Sequence, residues 1–123
     1  LGLPVQTMLA ELDLLVLFME RDEGVKLREI SRNPAVRRDI SVLLDKSVPF
    51  ADVEAAIRQA CGPVLERHWL FDVYEGPNID PNSRSLAIAM QLRKLGENLT
   101  DEEANRIRDA AATALAGLGG RLR

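Results

Sequence analysis

Apolar residues alternate without a break with polar or small residues over residues 85–93, and this pattern constrains the fold more than any other stretch. Successive side chains of a β-strand point to opposite faces, so the alternation predicts a strand with one buried face. Its other face would be a low floor of serine and alanine on which a flat group could lie. The residues expected inward are Leu86, Ile88, Met90 and Leu92, and those expected outward are Ser85, Ala87, Ala89, Gln91 and Arg93.

The preceding stretch, residues 64–75, also alternates and predicts a neighbouring strand. Asp72 and Tyr74 share one face of that strand. An aromatic ring for stacking and a carboxylate that accepts hydrogen bonds are a suitable pair for a nucleobase. An ordinary sheet with a half-exposed tyrosine explains the same stretch, and both interpretations stay open. The residues expected in the core are Phe71, Val73 and, by the same parity, Trp69.

Four other segments complete the pattern. Residues 37–45 alternate as a strand, and the residues after Pro49 have helical spacing up to Gly62. Thr100 and Glu103 form a capping box that starts a second, alanine-rich helix, which ends at residues 117–120. Residues 121–123 suit a short last strand with Leu122 inward. The other inward residues are Ile40, Val42, Leu44, Phe50, Val53, Ile57, Ala60, Cys61, Ala104, Ile107, Ala111, Leu115 and Leu118.

The resulting order, β-α-β-β-α-β, is that of the ferredoxin-like fold. The sequence therefore predicts an α+β sandwich in which a four-stranded antiparallel sheet of order 4-1-3-2 carries both helices on one face.

Residues 1–32 are predicted to be an N-terminal extension of this domain, which would occupy residues 33–123. The extension has a strand-like stretch at 8–13, an apolar helix at 14–19 and a charged linker at 20–32. Because the chain begins with leucine, we expect it to be a piece of a longer protein. An unpaired strand edge beside exposed apolar side chains also predicts self-association through residues 1–20.

Composition excludes several classes of function. With 46% hydrophobic and 28% charged residues, the chain is typical of a soluble domain and has no apolar run that could span a membrane. One cysteine and one histidine leave no internal disulfide and no zinc site, and they fit a cytoplasmic protein. There is no glycine-rich phosphate loop and no grouping of catalytic side chains. We therefore expect a binding module without catalytic residues, metal or cofactor.

The net charge of −3 argues mildly against a nucleic-acid partner, but the charges are unevenly distributed. Residues 1–30 contain six acidic and three basic residues, whereas residues 31–123 contain thirteen of each. Many of the basic residues lie on or beside predicted strands, so the sheet could carry a basic face. The candidate phosphate contacts are Arg37, Arg38 and Arg84, with solvated charges at strand ends as the alternative.

Several segments together resemble the C-terminal ferredoxin-fold anticodon-binding domain of the phenylalanyl-tRNA synthetase β chain. The resemblance covers about residues 31–123, and Phe-Asp-Val-Tyr at 71–74 is its most specific part. Residues 11–14 resemble the last strand of the catalytic-like domain that precedes this module in bacterial β chains. Residues 97–98 depart from the family by lacking a basic residue that is usual there, and residues 82–84 keep only one basic residue, Arg84. The matching segments are residues 34–40, 70–74, 85–87, 99–103 and 122–123.

The resemblance implies that the open sheet face binds the anticodon of tRNA(Phe), whose first base is guanine. The family's contacts correspond to Asp72, Tyr74, Ser85 and Arg123. The resemblance also implies a parent phenylalanine–tRNA ligase, in which ATP, Mg²⁺ and phenylalanine bind elsewhere. The α subunit would be the partner of the β chain in a heterotetramer.

Two alternatives stay open, and the first is a small-molecule regulatory domain of the same topology. A regulatory domain that binds an amino acid typically needs glycine where the first strand meets the first helix, and residues 45–49 contain none. A protein-interaction domain could use the sheet face, although Asp72 and a flat serine–alanine floor are not typical of an interaction hot spot.

Overall fold

The computed structural model describes residues 2, 6–19 and 33–123. A single 3₁₀ turn, Gly62–Val64, joins the second helix to the second strand. After a short N-terminal helix, the elements follow the predicted β-α-β-β-α-β order. They are α1 (Leu14–Met19), β1 (Val36–Asp45), α2 (Phe50–Cys61), β2 (Leu65–Tyr74), β3 (Ser83–Leu92), α3 (Asp101–Gly117) and β4 (Arg121–Leu122).

The strands form one antiparallel sheet in the predicted order, read from the other edge as β2-β3-β1-β4. The two central strands pair over their whole length, from Val36 opposite Leu92 to Asp45 opposite Ser83. Their inward side chains form the floor of the core, and all of them are less than 5% exposed. These residues are the predicted Ile40, Val42, Leu44, Leu86, Ile88, Met90 and Leu92.

Both long helices pack on the same face of this sheet. Val53 and Ile57 of α2 and Ala111 and Leu115 of α3 belong to one buried cluster with the inward strand residues. The predicted capping box is present, since the backbone N–H of Glu103 donates to the side chain of Thr100 and the Thr100 N–H donates back at 3.0 Å. The ferredoxin-like fold is therefore confirmed, and none of the described helices packs on the other face of the sheet.

A β-bulge in β2 changes the predicted orientation of two aromatic residues. The pairing with β3 skips one residue between Leu70 and Asp72, so Phe71 is an extra residue in the strand. Trp69 pairs with the outward-facing Ala89 and lies on the uncovered face, and Phe71 is 50% exposed. The prediction that Trp69 and Phe71 belong to the core is wrong, because the bulge shifts the alternation by one residue.

The edge strands are less buried than the alternation predicts. Val73 pairs with the inward Leu86 but is 47% exposed, and Leu122 pairs with the inward Val42 but is 60% exposed. A side chain on an edge strand has a neighbouring strand on one side only. The predicted direction of both side chains is therefore confirmed, whereas their burial is not.

The N-terminal extension contains the predicted helix but not the predicted strand. Residues 8–13 have no regular secondary structure, and no described strand lies beside them to pair with their backbone. The Asp13 carboxylate starts α1 by accepting hydrogen bonds from the N–H groups of Leu15 and Val16 at 2.9 and 3.3 Å. None of the six α1 residues is buried.

Within the described ranges, no helix has the length and hydropathy needed to cross a membrane. The predicted linker at 20–32 lies outside the described residues, and the division into residues 1–32 and 33–123 stays a prediction.

Candidate functional site

The uncovered side of the sheet, which we call the open face, has a floor of small side chains on its central strands. Ser85, Ala87 and Ala89 of β3 point to this face, and Ser41 of β1 lies opposite Ala87. Side chains of one to two heavy atoms keep the floor low, so longer groups on the neighbouring strands can extend over it. The floor has the composition that the alternation predicted.

Asp72 and Tyr74 lie on the β2 side of this floor. They pair with Ala87 and Ser85, so both point to the open face as predicted. The Asp72 side chain is exposed and makes no hydrogen bond or ion pair within the described part of the chain. Both carboxylate oxygens are therefore available to accept hydrogen bonds from a ligand that rests on the tyrosine ring.

Arg123 approaches the same ring from the opposite edge of the sheet, where β4 lies. Its backbone N–H donates to the carbonyl of Ser41 at 3.0 Å, which fixes the residue beside β1. Its guanidinium carbon lies 5.6 Å from the centroid of the Tyr74 ring, within the range of a cation–π contact. A base stacked on this ring would consequently lie close to a positive charge.

Ser85 is at the predicted position but is 6% exposed. Its hydroxyl lies 3.5 Å from that of Ser41, and its cross-strand neighbours are Tyr74 and Leu43. A ligand could reach the Ser85 hydroxyl only after one of these larger side chains moved. The structure thus brings Asp72, Tyr74 and Arg123 together at the surface and places Ser85 beneath them.

Arg37 is the one candidate phosphate contact that points to the open face. It is exposed there and makes a bidentate ion pair with Asp39, with distances of 2.8 and 3.0 Å. The hydrogen bonds with Asp39 raise the pKa of the Arg37 guanidinium, which keeps it charged. The charge of Arg37 is accessible although it is shared with a carboxylate.

The side chains of Arg38 and Arg84 lie on the opposite, helix-bearing side. Arg38 donates to Asp101 and Asn105 at 2.6 and 2.9 Å, and Arg84 donates to the carbonyl of Val48 at 2.8 Å. Adjacent residues of a strand point to opposite faces, so Arg37 and Arg38 cannot both face the same ligand. The three candidate phosphate contacts therefore do not share one face of the sheet.

Two open-face residues, Arg67 and Trp69, were missing from the predicted site. The guanidinium carbons of Arg67 and Arg37 lie 4.8 and 5.4 Å from the centroid of the Trp69 ring. Arg37 also lies 5.5 Å from the centroid of the Phe71 ring. A signal was present in the sequence, because a strand that turned Trp69 into the core would also have buried Arg67, two residues earlier.

The described residues offer no support for other chemistry. They contain no group of three histidine, cysteine, aspartate or glutamate side chains that could hold a metal ion. Cys61 is buried, and desolvation raises the pKa of its thiol to about 11. A thiol with this pKa is protonated at neutral pH and is a poor nucleophile.

The sequence of residues 31–123 matches the model of the ferredoxin-fold anticodon binding domain family. This chain belongs to that family. The match includes all four strands of the sheet and both helices packed on it. The resemblance inferred from the Phe-Asp-Val-Tyr segment and its flanking motifs is thereby confirmed.

This anticodon-binding domain is similar to part of several phenylalanine–tRNA ligase β subunits. It is 44% identical over 116 residues to that of Streptomyces avermitilis and 41% identical over 119 residues to that of Thermobifida fusca. It is 38% identical over 116 residues to that of Clostridium tetani. These alignments cover 94% of this chain in each case, and the chain spans 14%, 14% and 15% of the length of the three relatives.

Proposed function

We propose that this chain is the anticodon-binding module of a phenylalanine–tRNA ligase β subunit and binds the anticodon of tRNA(Phe) on its open face. The observation that carries the proposal is the arrangement of Asp72 and Tyr74. A carboxylate with no partner among the described residues and an aromatic ring share the open face of a domain whose family is named for anticodon binding.

The chemistry of the pair suits guanine at the first anticodon position. The Tyr74 ring supplies a stacking surface, and the Asp72 carboxylate can accept hydrogen bonds from the N1–H and N2–H₂ groups of guanine. Arg123 adds a positive charge beside the ring. Ser85 can contribute a hydrogen bond once the side chain that covers it has moved.

The remaining activities belong to the proposed parent enzyme. ATP, Mg²⁺ and phenylalanine would bind outside this chain, and the α subunit would contact other parts of a cytoplasmic heterotetramer. The module itself would contribute recognition of the tRNA, because nothing among the described residues forms a catalytic grouping.

The contacts around the β1–α2 turn weigh against a small-molecule regulatory site. The Asp45 carboxylate accepts hydrogen bonds from the backbone N–H and hydroxyl of Ser47 at 2.8 and 2.6 Å. The Arg84 guanidinium donates a hydrogen bond to the carbonyl oxygen of Val48. The backbone of this turn is therefore already engaged, and no glycine leaves room for a ligand.

The proposal is tested by titrating the protein with the anticodon arm of tRNA(Phe). Tyr74→Ala should weaken binding by roughly 1–3 kcal/mol, the usual contribution of one stacked base, while Tyr74→Phe keeps most of the affinity. Folding should hardly change in either variant, because the ring lies outside the core. Loss of thermal stability with unchanged RNA binding would contradict the proposal.

Asp72→Asn gives a second test, which separates base reading from general attraction. In asparagine an NH₂ donor replaces one of the two carboxylate oxygens and would face one of the two guanine donors, so the variant should lose most of its preference for guanine over adenine at the first anticodon position. Equal losses of affinity for arms with guanine and with adenine would show that Asp72 does not recognise the first anticodon base.

A further inference from the structure

A second aromatic surface lies on the open face, at the β2 bulge and on the N-terminal side of Asp72 and Tyr74. It consists of Trp69 and Phe71 with the guanidinium groups of Arg37 and Arg67, and we call it the arginine–tryptophan platform. Arg37 bridges the two rings, at 5.4 Å from the Trp69 centroid and 5.5 Å from the Phe71 centroid. Arg67 lies 4.8 Å from the Trp69 centroid.

Trp69 is too far from Tyr74 for the two rings to stack on the same base. Trp69 pairs with Ala89 and Tyr74 pairs with Ser85, so the two rings are attached four residues apart along β3. At a rise of about 3.3 Å per residue, their strand positions are separated by about 13 Å. Asp72 and the floor residue Ala87 lie between them.

We propose that the arginine–tryptophan platform stacks a second unpaired base of the RNA whose first base is bound at Asp72 and Tyr74. This inference rests on the proposed function and extends it to a second position on the same face. Single-stranded RNA is recognised by bases splayed onto aromatic rings and onto guanidinium planes, and the platform offers both kinds of surface.

The positions of the two arginines are fixed by polar contacts on the open face. Asp39 holds Arg37 through two hydrogen bonds, and the Gln91 amide oxygen accepts from Nε of Arg67 at 3.0 Å. Arg37 pairs with Gln91 of β3, and the next outward residue of β3 is Ala89, opposite Trp69. Because Ala89 has no long side chain, Arg37 can extend across it to the rings. A base that arrives at the platform therefore meets surfaces that are already in place.

The charge around the platform favours RNA over a protein partner. The platform and its neighbours carry three guanidinium groups, those of Arg37, Arg67 and Arg93. They carry two carboxylates, those of Asp39 and Glu66, so one positive charge is in excess and could attract a phosphate. The platform also continues the face that carries Asp72 and Tyr74. Tryptophan and arginine are frequent in protein interfaces as well, so a protein partner is one outcome that the experiment must detect.

Trp69 is the only tryptophan of the chain, so its fluorescence reports on the platform alone. We expect the emission to be quenched when the anticodon arm of tRNA(Phe) is added, because a stacked base quenches an indole. The quenching should follow the same binding curve as the anisotropy of a labelled RNA. Binding without any change in tryptophan emission would overturn the proposal.

Substitution of Trp69 gives an independent test. Trp69→Ala should weaken binding roughly 5- to 150-fold, the range equivalent to the 1–3 kcal/mol of one stacked base, while Trp69→Phe should keep most of the affinity. Unchanged thermal unfolding would show that Trp69→Ala folds. If it does not fold, the fluorescence of the unmodified protein still decides the question.

Abasic RNA arms show whether Trp69 binds a base of its own. On an arm that lacks the base stacked on Trp69, Trp69→Ala should bind with the same affinity as the unmodified protein. Tyr74→Ala should still bind that arm more weakly than the unmodified protein does. If every abasic arm loses as much affinity with Trp69→Ala as the intact arm does, Trp69 stacks no base and the inference fails.

The outcomes separate this inference from the proposed function. If Tyr74→Ala weakens binding and Trp69→Ala does not, the platform inference is wrong and the proposed function stands. If the unmodified protein does not bind the anticodon arm, both fail. If Trp69→Ala leaves RNA binding unchanged but abolishes self-association seen by light scattering, the platform is a protein interface.

Discussion

The ring of Tyr74 packs directly against the backbone of Gly76. A Cβ atom at position 76 would lie 2.6 Å from Cζ of Tyr74 and would also collide with the tyrosine hydroxyl. Gly76 has no positive φ, so a side chain at this position would disturb the Tyr74 ring and not the backbone conformation. The residue thereby sets the position of the proposed stacking surface.

Gly76→Ala should therefore displace the Tyr74 ring and weaken RNA binding without destabilising the core. The measurement is a titration with the anticodon arm of tRNA(Phe), together with thermal unfolding. Gly117→Ala is the matched control, because a Cβ at that position meets nothing within 4 Å. Equal RNA affinity of the two variants would show that the position of the Tyr74 ring does not matter for binding.

Arg37 and Arg38 are adjacent but should give opposite phenotypes. Arg37→Ala should weaken RNA binding and lower its salt dependence by about 0.7 in log–log slope if one phosphate contact is lost. Arg38→Ala should leave RNA binding unchanged and cost about 1–2 kcal/mol of folding stability, because it removes hydrogen bonds to Asp101 and Asn105. Urea unfolding measures the stability of each variant, and titrations at several salt concentrations measure its RNA binding. If only Arg38→Ala lost RNA affinity, Arg38 and not Arg37 would be the residue that contacts the RNA.

The capping box at the start of α3 should make stability depend on pH in the acid range. The hydrogen bond from Lys94, followed by that from the Thr100 N–H, lowers the pKa of Glu103 from 4.5 to about 2. A carboxyl with a lowered folded-state pKa stabilises the fold above pH 4.5, and this contribution is lost as the pH falls towards 2.

Glu103→Gln should consequently flatten the fall in stability between pH 4.5 and 2, as measured by thermal unfolding across that range. Glu102→Gln is the control, since the Glu102 side chain makes no hydrogen bond among the described residues. An unchanged pH profile in Glu103→Gln would show that the carboxyl titrates normally in the folded protein.

His68 links the edge strand β2 to α2. Its side chain is 4% exposed, and its Nε2 lies 2.9 Å from a carboxylate oxygen of Glu54. Glu54→Ala would leave a buried ring nitrogen without a partner and should cost about 1–3 kcal/mol, whereas Glu54→Gln should cost less. Urea unfolding measures both, with the exposed Gln59→Ala as the control on the same helix. Similar stability of all three variants would mean that the contact contributes nothing.

The apolar side chains of α1 should cause self-association of the isolated chain. All six residues, Leu14–Met19, are at least 52% exposed, and such a cluster tends to find a partner. Light scattering should show a dimer that is lost in Leu15→Ser/Phe18→Ser and in a shortened chain that begins at Ile30. A chain that stays monomeric at high micromolar concentration would refute this prediction.

The periodicity of the sequence determined the core and the topology. Inward residues of β1 and β3, such as Val42 and Ile88, belong to strands that pair with each other without a register shift, so period-2 alternation holds along their whole length. The capping box of Thr100 and Glu103 is equally local, because its groups lie within three residues. Asp72 and Tyr74 were placed correctly because both follow the bulge.

Only the tertiary structure decided what lies before the bulge and which arginines face a ligand. The extra residue at Phe71 is defined by hydrogen bonds with β3, whose position relative to β2 no local pattern specifies. The bulge brought Trp69 to the open face. Likewise, Arg38 is held by α3, more than 60 residues away in sequence, so its engagement depends on long-range packing that alternation does not describe.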